Sequence, residues 1–402
     1  MGWGFQRRTV GTLALVQVVG GIGNGAGLAV GALLIEDVTG SAGWAGLTVV
    51  ATTLGAALFT VPLSNFAVHR GRRPALTTGW LGGALGALAV VAGAEWSSLP
   101  LLLLGFLLFG GSTAANLQSR FAAADRAEPD EVGRSISLVI WATTIGSVAG
   151  PNLTGPGAAT ARALGIPELA GPQVFSGVAF TVAGLLTWLM LRPDPLERRD
   201  ASAPPPPRTR AALPHVRGAT ALAIGTMALS HAVMVAVMAL TPVHMSGHDA
   251  ALSVIGLTIS LHIAGMFALS PLFGWMTDRW GAEPTILLGQ AVLIAACGIA
   301  GTAGHSNVQI TIGLILLGIG WSMSVIAGAA LLTRSVDPTV RPLVQGFSDL
   351  TMNLAGAAGG LLAGLVVAVW NFGTLTAVAA VLTLPIIAAI VPASRRQGVR
   401  LT

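Results

Sequence analysis

The chain has 402 residues, of which 53% are hydrophobic and only 9% are charged. Soluble domains carry about 25% charged residues, so this composition, with a mean hydropathy of +0.77, excludes an ordinary soluble protein. A membrane-spanning helix needs about 20 apolar residues, and the length therefore allows about a dozen spans with short connections. We expect most of the chain to lie in a lipid bilayer.

Apolar runs separated by charged or Pro- and Gly-rich breaks predict twelve helices. They cover residues 11–35, 42–67, 74–94, 99–123, 133–157, 172–191, 218–242, 251–276, 284–303, 307–332, 341–369 and 372–392. The one long hydrophilic stretch, 193–217, contains four consecutive prolines and predicts an extended cytoplasmic linker. We therefore expect an all-α membrane protein with two pseudo-symmetric six-helix halves, residues 1–192 and 218–402, joined by this linker.

The basic residues are all arginine, and their positions predict the orientation of the chain. With the amino terminus inside, 19 of the 21 fall on the inner side of the membrane, as the positive-inside rule requires. We expect a multi-pass protein of the cytoplasmic (inner) membrane with both termini in the cytoplasm. Arginines scattered between apolar runs do not predict a nucleic-acid partner. The single cysteine, Cys297, excludes a disulfide within the chain.

Two segments of similar sequence follow the second and the eighth predicted helices. Residues 64–74 read SNFAVHRGRRP, and residues 274–284 read GWMTDRWGAEP. Both resemble the loop motif of the major facilitator superfamily, a glycine followed by Asp-Arg and Gly-Arg-Arg. Asp278 and Arg279 match this motif, whereas Val68 stands where the family usually has aspartate. The resemblance extends over essentially the whole chain and implies the major facilitator fold, in which two halves rock about a central cavity.

A further pattern lies in the fifth helix, at residues 146–155. Its sequence, GSVAGPNLTG, resembles the Gly-Pro motif common in exporters of this superfamily, with Thr154 in place of a glycine. The pattern has two readings of similar weight. It is either an antiport signal or a kinked face of small residues against which another helix packs.

Methionine and histidine are concentrated in the seventh and eighth helices and in the connection between them. Residues 227–266 hold five of the ten methionines and four of the seven histidines. Helical spacing places the side chains of the seventh helix on one face, and two histidines, one on each helix, lie about 15 Å below the outer surface. The predicted metal ligands are Met234, Met238, His262, Met266 and His231, and the predicted access path consists of His244, Met245, His248 and Met227.

Thioether and imidazole groups suit Cu(I), so copper is the predicted cargo. The pairs Met234–Met238 and His262–Met266 resemble those of the CcoA-type copper importers, a branch of the superfamily. This resemblance implies copper uptake across the cytoplasmic membrane, with copper as substrate and no resident cofactor. The expected partners are the copper ion, the lipid bilayer and a cytoplasmic copper acceptor, and the expected state is a monomer.

Charged and amide side chains in the other predicted helices are candidates for coupling, gating and cavity lining, because such groups are costly in hydrocarbon. The candidate coupling or gating residues are Asp349, Asp125, Arg120, Arg72, Asp278 and Arg279. The candidate cavity residues are Asn24, Asn116, Gln118, Gln345 and Asn353. For Asp349, proton coupling and a purely structural ion pair are both open interpretations.

Packing around a cavity for an organic compound is the alternative explanation of the methionines and histidines. The protein would then export drugs by proton antiport or take up a vitamin such as riboflavin, as relatives of the copper importers do. A membrane sensor that binds metal without transporting it is a further alternative. The sequence contains no nucleotide-binding loop, catalytic triad or Cys/His zinc spacing, so we expect gradient-driven transport and no enzymatic activity.

Overall fold

The computed structural model describes residues 2–40, 44, 47–196 and 213–390, and this part of the chain is helical with no β-strand. Its helices are α1 (Gly2–Thr39), α2 (Leu47–Arg70), α3 (Arg72–Glu95), α4 (Leu99–Ala124), α5 (Val132–Ala149), α6 (Thr154–Leu164), α7 (Gly171–Met190), α8 (Gly218–Ser246), α9 (Leu252–Phe267), α10 (Ser270–Trp280), α11 (Ala282–Gly301), α12 (Asn307–Ser335), α13 (Arg341–Val369) and α14 (Phe372–Val381).

Twelve segments of the described chain are long and apolar enough to cross a membrane, which confirms the predicted number of spans. The fifth span runs through α5 and α6, and the eighth runs through α9 and α10. Both breaks fall at prolines, which remove a backbone donor: Pro151 follows α5, and Pro271 lies in the first turn of α10. The predicted first span, 11–35, is too short, because α1 continues through polar residues at both of its ends.

Packing divides the chain into two compact units. The first unit consists of Met1–Ala127, Leu138–Leu213 and Asp337–Leu350, and the second consists of Glu128–Ser137, Pro214–Val336 and Thr351–Thr402. These units are not continuous in the chain: residues 128–137 pack with the second unit and residues 337–350 pack with the first. Linker residues 197–212, with their four prolines, lie outside the described residues.

Aromatic side chains form the core of the first unit. The ring centroids of Trp80 in α3 and Phe180 in α7 are 5.9 Å apart, and Phe109 of α4 packs edge-on against Phe180 at 5.0 Å. All three side chains are fully buried. Aromatic pairs of this geometry contribute about 0.5–1.5 kcal/mol beyond the burial of their surface, so these rings stabilise the packing of α3, α4 and α7.

Hydrogen bonds between uncharged side chains join the helices of the second unit. Gln290 of α11 donates to Ser230 Oγ of α8 and to Ser324 Oγ of α12, both over 2.9 Å. All three residues are fully buried. Such bonds between membrane helices contribute only about 0.6 kcal/mol on average, but their geometry fixes how the three helices are aligned.

The two copies of the loop motif have the same backbone conformation. Gly71, between α2 and α3, has φ 96° and ψ 169°, and Gly281, between α10 and α11, has φ 99° and ψ 162°. A residue with a Cβ atom is strained at this φ. The internal repeat that the sequence indicates is therefore present in the backbone, and glycine is required at both copies.

Helices α1 and α5 approach each other closely at small residues within the first unit. A Cβ atom added to Gly146 would lie 2.5 Å from the carbonyl carbon of Gly21, and one added to Gly150 would lie 2.6 Å from the Cα atom of Gly25. The pattern at residues 146–155 thus contains a packing face. This geometry supports the packing interpretation of the pattern.

We expect Gly146→Ala to lower the melting temperature of the purified protein, because the added methyl group meets backbone that cannot move aside. Overpacking of this kind costs about 1–3 kcal/mol. Gly298→Ala in α11 is the matched control: no heavy atom lies within 4 Å of its added Cβ, and alanine is the better helix former by about 1 kcal/mol. Equal shifts of the two melting temperatures in detergent would contradict the packing role of Gly146.

Candidate functional site

The predicted ligand His262 is fully buried where α9 meets α12. Its Nδ1 atom lies 2.7 Å from the carbonyl oxygen of Leu314 in α12. Because a carbonyl only accepts, Nδ1 carries the proton and Nε2 carries the lone pair. That Nε2 atom has no hydrogen-bond partner among the described residues. The backbones of the two helices are in close contact here, since a Cβ atom on Gly318 would lie 2.5 Å from the carbonyl oxygen of His262.

The predicted ligand His231 of α8 is also bonded to α12. Trp321 Nε1 donates to His231 Nδ1 over 3.1 Å, and the two ring centroids are 6.1 Å apart. The ring hydrogen bonds of His231 and His262 thus go to two residues of α12, Trp321 and Leu314. These two residues are about 10 Å apart along the helix axis. These bonds attach each of the two histidines to α12.

The predicted sulfur ligands are mostly packed inside the second unit. Met227 is fully buried, Met234 and Met266 are buried, and Met238 is half-buried. Met227 lies against Gly328 of α12, where an added Cβ atom would come within 2.8 Å of its Cγ atom. Within the described ranges, no group of three or more His, Cys, Asp and Glu side chains has a geometry that could hold a metal ion.

The predicted access path contains a cluster of three histidine rings at one end of the second unit. The ring centroids of His244 and His248 are 4.3 Å apart, and His305 lies edge-on to His248 at 4.6 Å. His244 also stacks on Phe372 at 4.5 Å. The sequence analysis missed His305, which is distant in the chain. Met245 is fully buried beside these exposed or half-buried rings.

An aromatic cluster lies beside His231 in the second unit. Phe267 of α9 packs against Trp321 at 88°, with the centroids 5.9 Å apart. Gly356 of α13 lies against the far edge of the imidazole, because an added Cβ atom would be 2.5 Å from His231 Cδ2. His231 and Phe267 are half-buried and Trp321 is 6% exposed. Sequence reasoning missed Trp321, although a tryptophan in the middle of a span is unusual, since tryptophan is enriched at the two membrane interfaces.

The tautomer of His231 follows from its hydrogen bond. An indole nitrogen is only a donor, so His231 Nδ1 is the acceptor and the neutral imidazole carries its proton on Nε2. The cluster of His231, Phe267 and Trp321, named here the aromatic site, therefore combines two aromatic rings with one hydrogen-bonding imidazole. Such a set of groups suits a flat organic molecule with polar edges.

Five of the predicted charged and amide residues come together in the first unit. Arg72 donates to both carboxylate oxygens of Asp125, over 2.8 and 3.2 Å, and also donates to Gln345 Oε1. Arg120 pairs with Asp349 at 2.5 Å. The five side chains are almost completely buried. These two hydrogen-bonded groups, named here together the charge network, join α3 and α4 to the start of α13.

The other two predicted gating residues lie in the second unit. Asp278 accepts hydrogen bonds from the backbone nitrogens of Gly133 and Arg134, both over 2.8 Å, and pairs with Arg334 at 2.6 Å. The carboxylate thus caps the amino terminus of α5, where a negative charge is favourable. Arg279 is exposed.

The predicted cavity residues divide into half-buried and buried groups. Asn24 accepts from Ser112 Oγ over 3.0 Å and, like Asn116, is half-buried. Gln118 is buried and donates to the carbonyl oxygen of Thr60 over 3.0 Å, so it joins α4 to α2. Gln345 belongs to the charge network, and Asn353 of α13 is 9% exposed.

The comparisons with known proteins agree on one superfamily. The family model described as Major Facilitator Superfamily matches residues 13–253 and 222–401. The uncharacterized MFS-type transporter YddS of Bacillus subtilis (strain 168) is 37% identical over 400 residues, which are 97% of this chain and 92% of that protein. The riboflavin transporter RfnT of Brucella anthropi is 31% identical over 365 residues, which are 89% of this chain and 88% of that protein.

A solved structure has the same fold. The crystal structure of the human organic anion transporter MFSD10 (TETRAN) superposes with a TM-score of 0.79 at 17% identity, over 96% of this chain and 99% of that one. At this identity the likeness concerns the fold alone. Family match, related sequences and fold together lead to one conclusion: the chain belongs to the Major Facilitator Superfamily and is a multi-pass secondary transporter.

Proposed function

We propose that this transporter carries a flat heteroaromatic organic compound, with riboflavin as the first candidate. The observation that carries the proposal is the aromatic site of His231, Phe267 and Trp321. The likeness to the riboflavin transporter RfnT over 89% of this chain supports the same class of substrate. The proposal is the organic-substrate alternative of the sequence analysis.

The chemistry of riboflavin fits the aromatic site. Its isoalloxazine system is flat, has three fused rings and carries carbonyl oxygens and ring nitrogens along its edge. Phe267 and Trp321, nearly perpendicular to each other, offer an edge and a face to such a ring system. The imidazole of His231 accepts the indole hydrogen of Trp321 and so fixes the position of that ring, and Gly356 leaves the imidazole no room to turn towards α13.

Copper remains the second candidate, on one observation. The lone pair of His262 Nε2 is buried without a hydrogen-bond partner among the described residues, and a histidine whose Nδ1 donates to a carbonyl is a typical metal ligand. Against copper, His231 Nδ1 is occupied by Trp321, and Met227 and Met234 are buried in helix contacts. We therefore prefer the organic substrate.

We further infer that Asp349 couples transport to a proton gradient in the cytoplasmic membrane. Protonation of Asp349 removes one charge of its pair with Arg120 and leaves the guanidinium without its counter-ion, which changes how strongly the start of α13 is held. The arginine distribution supports an orientation with both termini in the cytoplasm.

Trp321→Ala is expected to raise the KM for riboflavin uptake about ten-fold, because an aromatic contact contributes about 0.5–1.5 kcal/mol beyond its buried area. Trp321→Phe keeps a ring but loses the hydrogen bond to His231, so we expect an intermediate KM. Trp275→Ala, at an exposed tryptophan of α10, is the matched control. Uptake of labelled riboflavin into cells that neither make nor import it measures all three. Absence of uptake by the parent protein, or a parental KM for Trp321→Ala, would contradict the proposal.

Asp349→Asn is expected to make uptake insensitive to an imposed pH gradient while exchange of substrate continues. Because a single substitution leaves a buried charge unpaired, at about 3–5 kcal/mol, the double variant Arg120→Gln/Asp349→Asn provides a neutral pair as a check on folding. Glu168→Gln, at an exposed ion pair with Arg162, is the control. Proteoliposome uptake with and without a pH gradient measures the effect, and a response of Asp349→Asn equal to that of the parent would exclude this carboxylate as the coupling group.

Met234→Leu/Met238→Leu is expected to leave copper accumulation in expressing cells equal to that of the parent, because leucine replaces methionine in an apolar contact at a small cost in packing. Cellular copper is measured by mass spectrometry at matched protein levels. A clear loss of copper accumulation in this variant would instead favour the metal path.

A further inference from the structure

A cavity of about 620 Å³ lies in the first unit, where α2, α4 and α7 end and α13 begins. Its walls are formed by residues 67–71, Asp125 and Arg126, 195–196, and 338–342 without Val340. Its volume is within the range of small-molecule sites, which is about 300–1,000 Å³. The cavity lies at the end of the first unit that the arginine distribution predicts to face the cytoplasm, and the transport proposal does not use it.

The cavity wall carries an excess of positive charge. Among the described lining residues, Arg70, Arg126 and Arg341 are basic and Asp125 is acidic, and the carboxylate of Asp194 lies against Gly71. Both carboxylate oxygens of Asp125 already receive hydrogen bonds from Arg72. The Nε atom of Arg126 donates to the carbonyl oxygen of Pro195 over 3.0 Å, which fixes that side chain at the wall.

The internal repeat shows what occupies the equivalent place in the second unit. There, Asp278 binds the backbone nitrogens of Gly133 and Arg134 and the side chain of Arg334. The corresponding residue in the first copy of the motif is Val68, which lines the cavity. The second copy therefore supplies a carboxylate from the motif itself, whereas the first has an apolar side chain at this position. The carboxylates near the first copy, Asp194 and Asp337, accept hydrogen bonds from backbone nitrogens of Arg72, Arg73 and Thr339.

We propose that this cavity binds a phosphate-bearing anion, which takes the place of the carboxylate that Val68 does not provide. Guanidinium groups match the geometry of phosphate oxygens and form paired hydrogen bonds with them. The phosphate comes either from a soluble phosphorylated compound or from the headgroup of an anionic lipid. The bound anion connects the start of α13 to the α2–α3 connection and strengthens the packing of residues 338–342 on the first unit.

The test measures binding to the full-length purified protein. Inorganic pyrophosphate is titrated at constant ionic strength in neutral detergent, and separately the melting temperature is compared in nanodiscs of phosphatidylcholine with and without phosphatidylglycerol. We expect pyrophosphate to bind, or phosphatidylglycerol to raise the melting temperature. Binding of pyrophosphate would identify the ligand as a soluble phosphate compound. A higher melting temperature with phosphatidylglycerol would identify it as a lipid headgroup.

The variants distinguish anion binding in this cavity from nonspecific attraction of anions to a basic surface. Val68→Asp and Arg70→Gln are expected to weaken the response about ten-fold each, as the loss of one charge-assisted contact predicts. Val68→Asn, which has a similar shape without the charge, and Arg134→Gln, an exposed arginine at the start of α5, are expected to behave like the parent. Because the side chain of Arg70 is exposed, its variant remains informative if Val68→Asp does not fold. Absence of both responses in the parent, or equal responses in all variants, would overturn the proposal.

Discussion

Two buried ion pairs constrain how the first unit can pack. Arg72 with Asp125 and Arg120 with Asp349 lie where charges are costly, and removing one partner of such a pair leaves an uncompensated charge. Gln345 and Asp349 belong to α13, so the pairing attaches the start of this helix to α3 and α4. This requirement explains why residues 337–350 pack with the first unit although most of α13 belongs to the second.

The second unit satisfies its buried polar groups mainly with uncharged partners. Gln290 binds two serines, Thr258 and Thr311 share a hydrogen bond of 2.7 Å, and His262 donates to a backbone carbonyl. Carboxylates in this unit are confined to the helix ends, where Asp278 caps α5. The two units thus differ in the groups that they bury: the first buries ion pairs, and the second buries aromatic rings, hydroxyl groups and amides.

Hydrophobic length was sufficient to predict the spans, because each one must bury about 20 residues in lipid and the breaks carry proline, glycine or charge. The sequence does not show in which direction each side chain points relative to helices that are distant in the chain. His231 and Trp321 are 90 residues apart, and no local pattern indicates that α12, rather than the adjacent α9, receives the imidazole. For the same reason the sequence left an ion pair of Asp349 open and did not indicate Arg120 as its partner.

The partners of His231 and His262 lie on one uninterrupted helix, two turns apart. Because α12 is one continuous helix, Leu314 and Trp321 keep a fixed position relative to each other. Any displacement of α12 therefore changes the contacts of both histidines together.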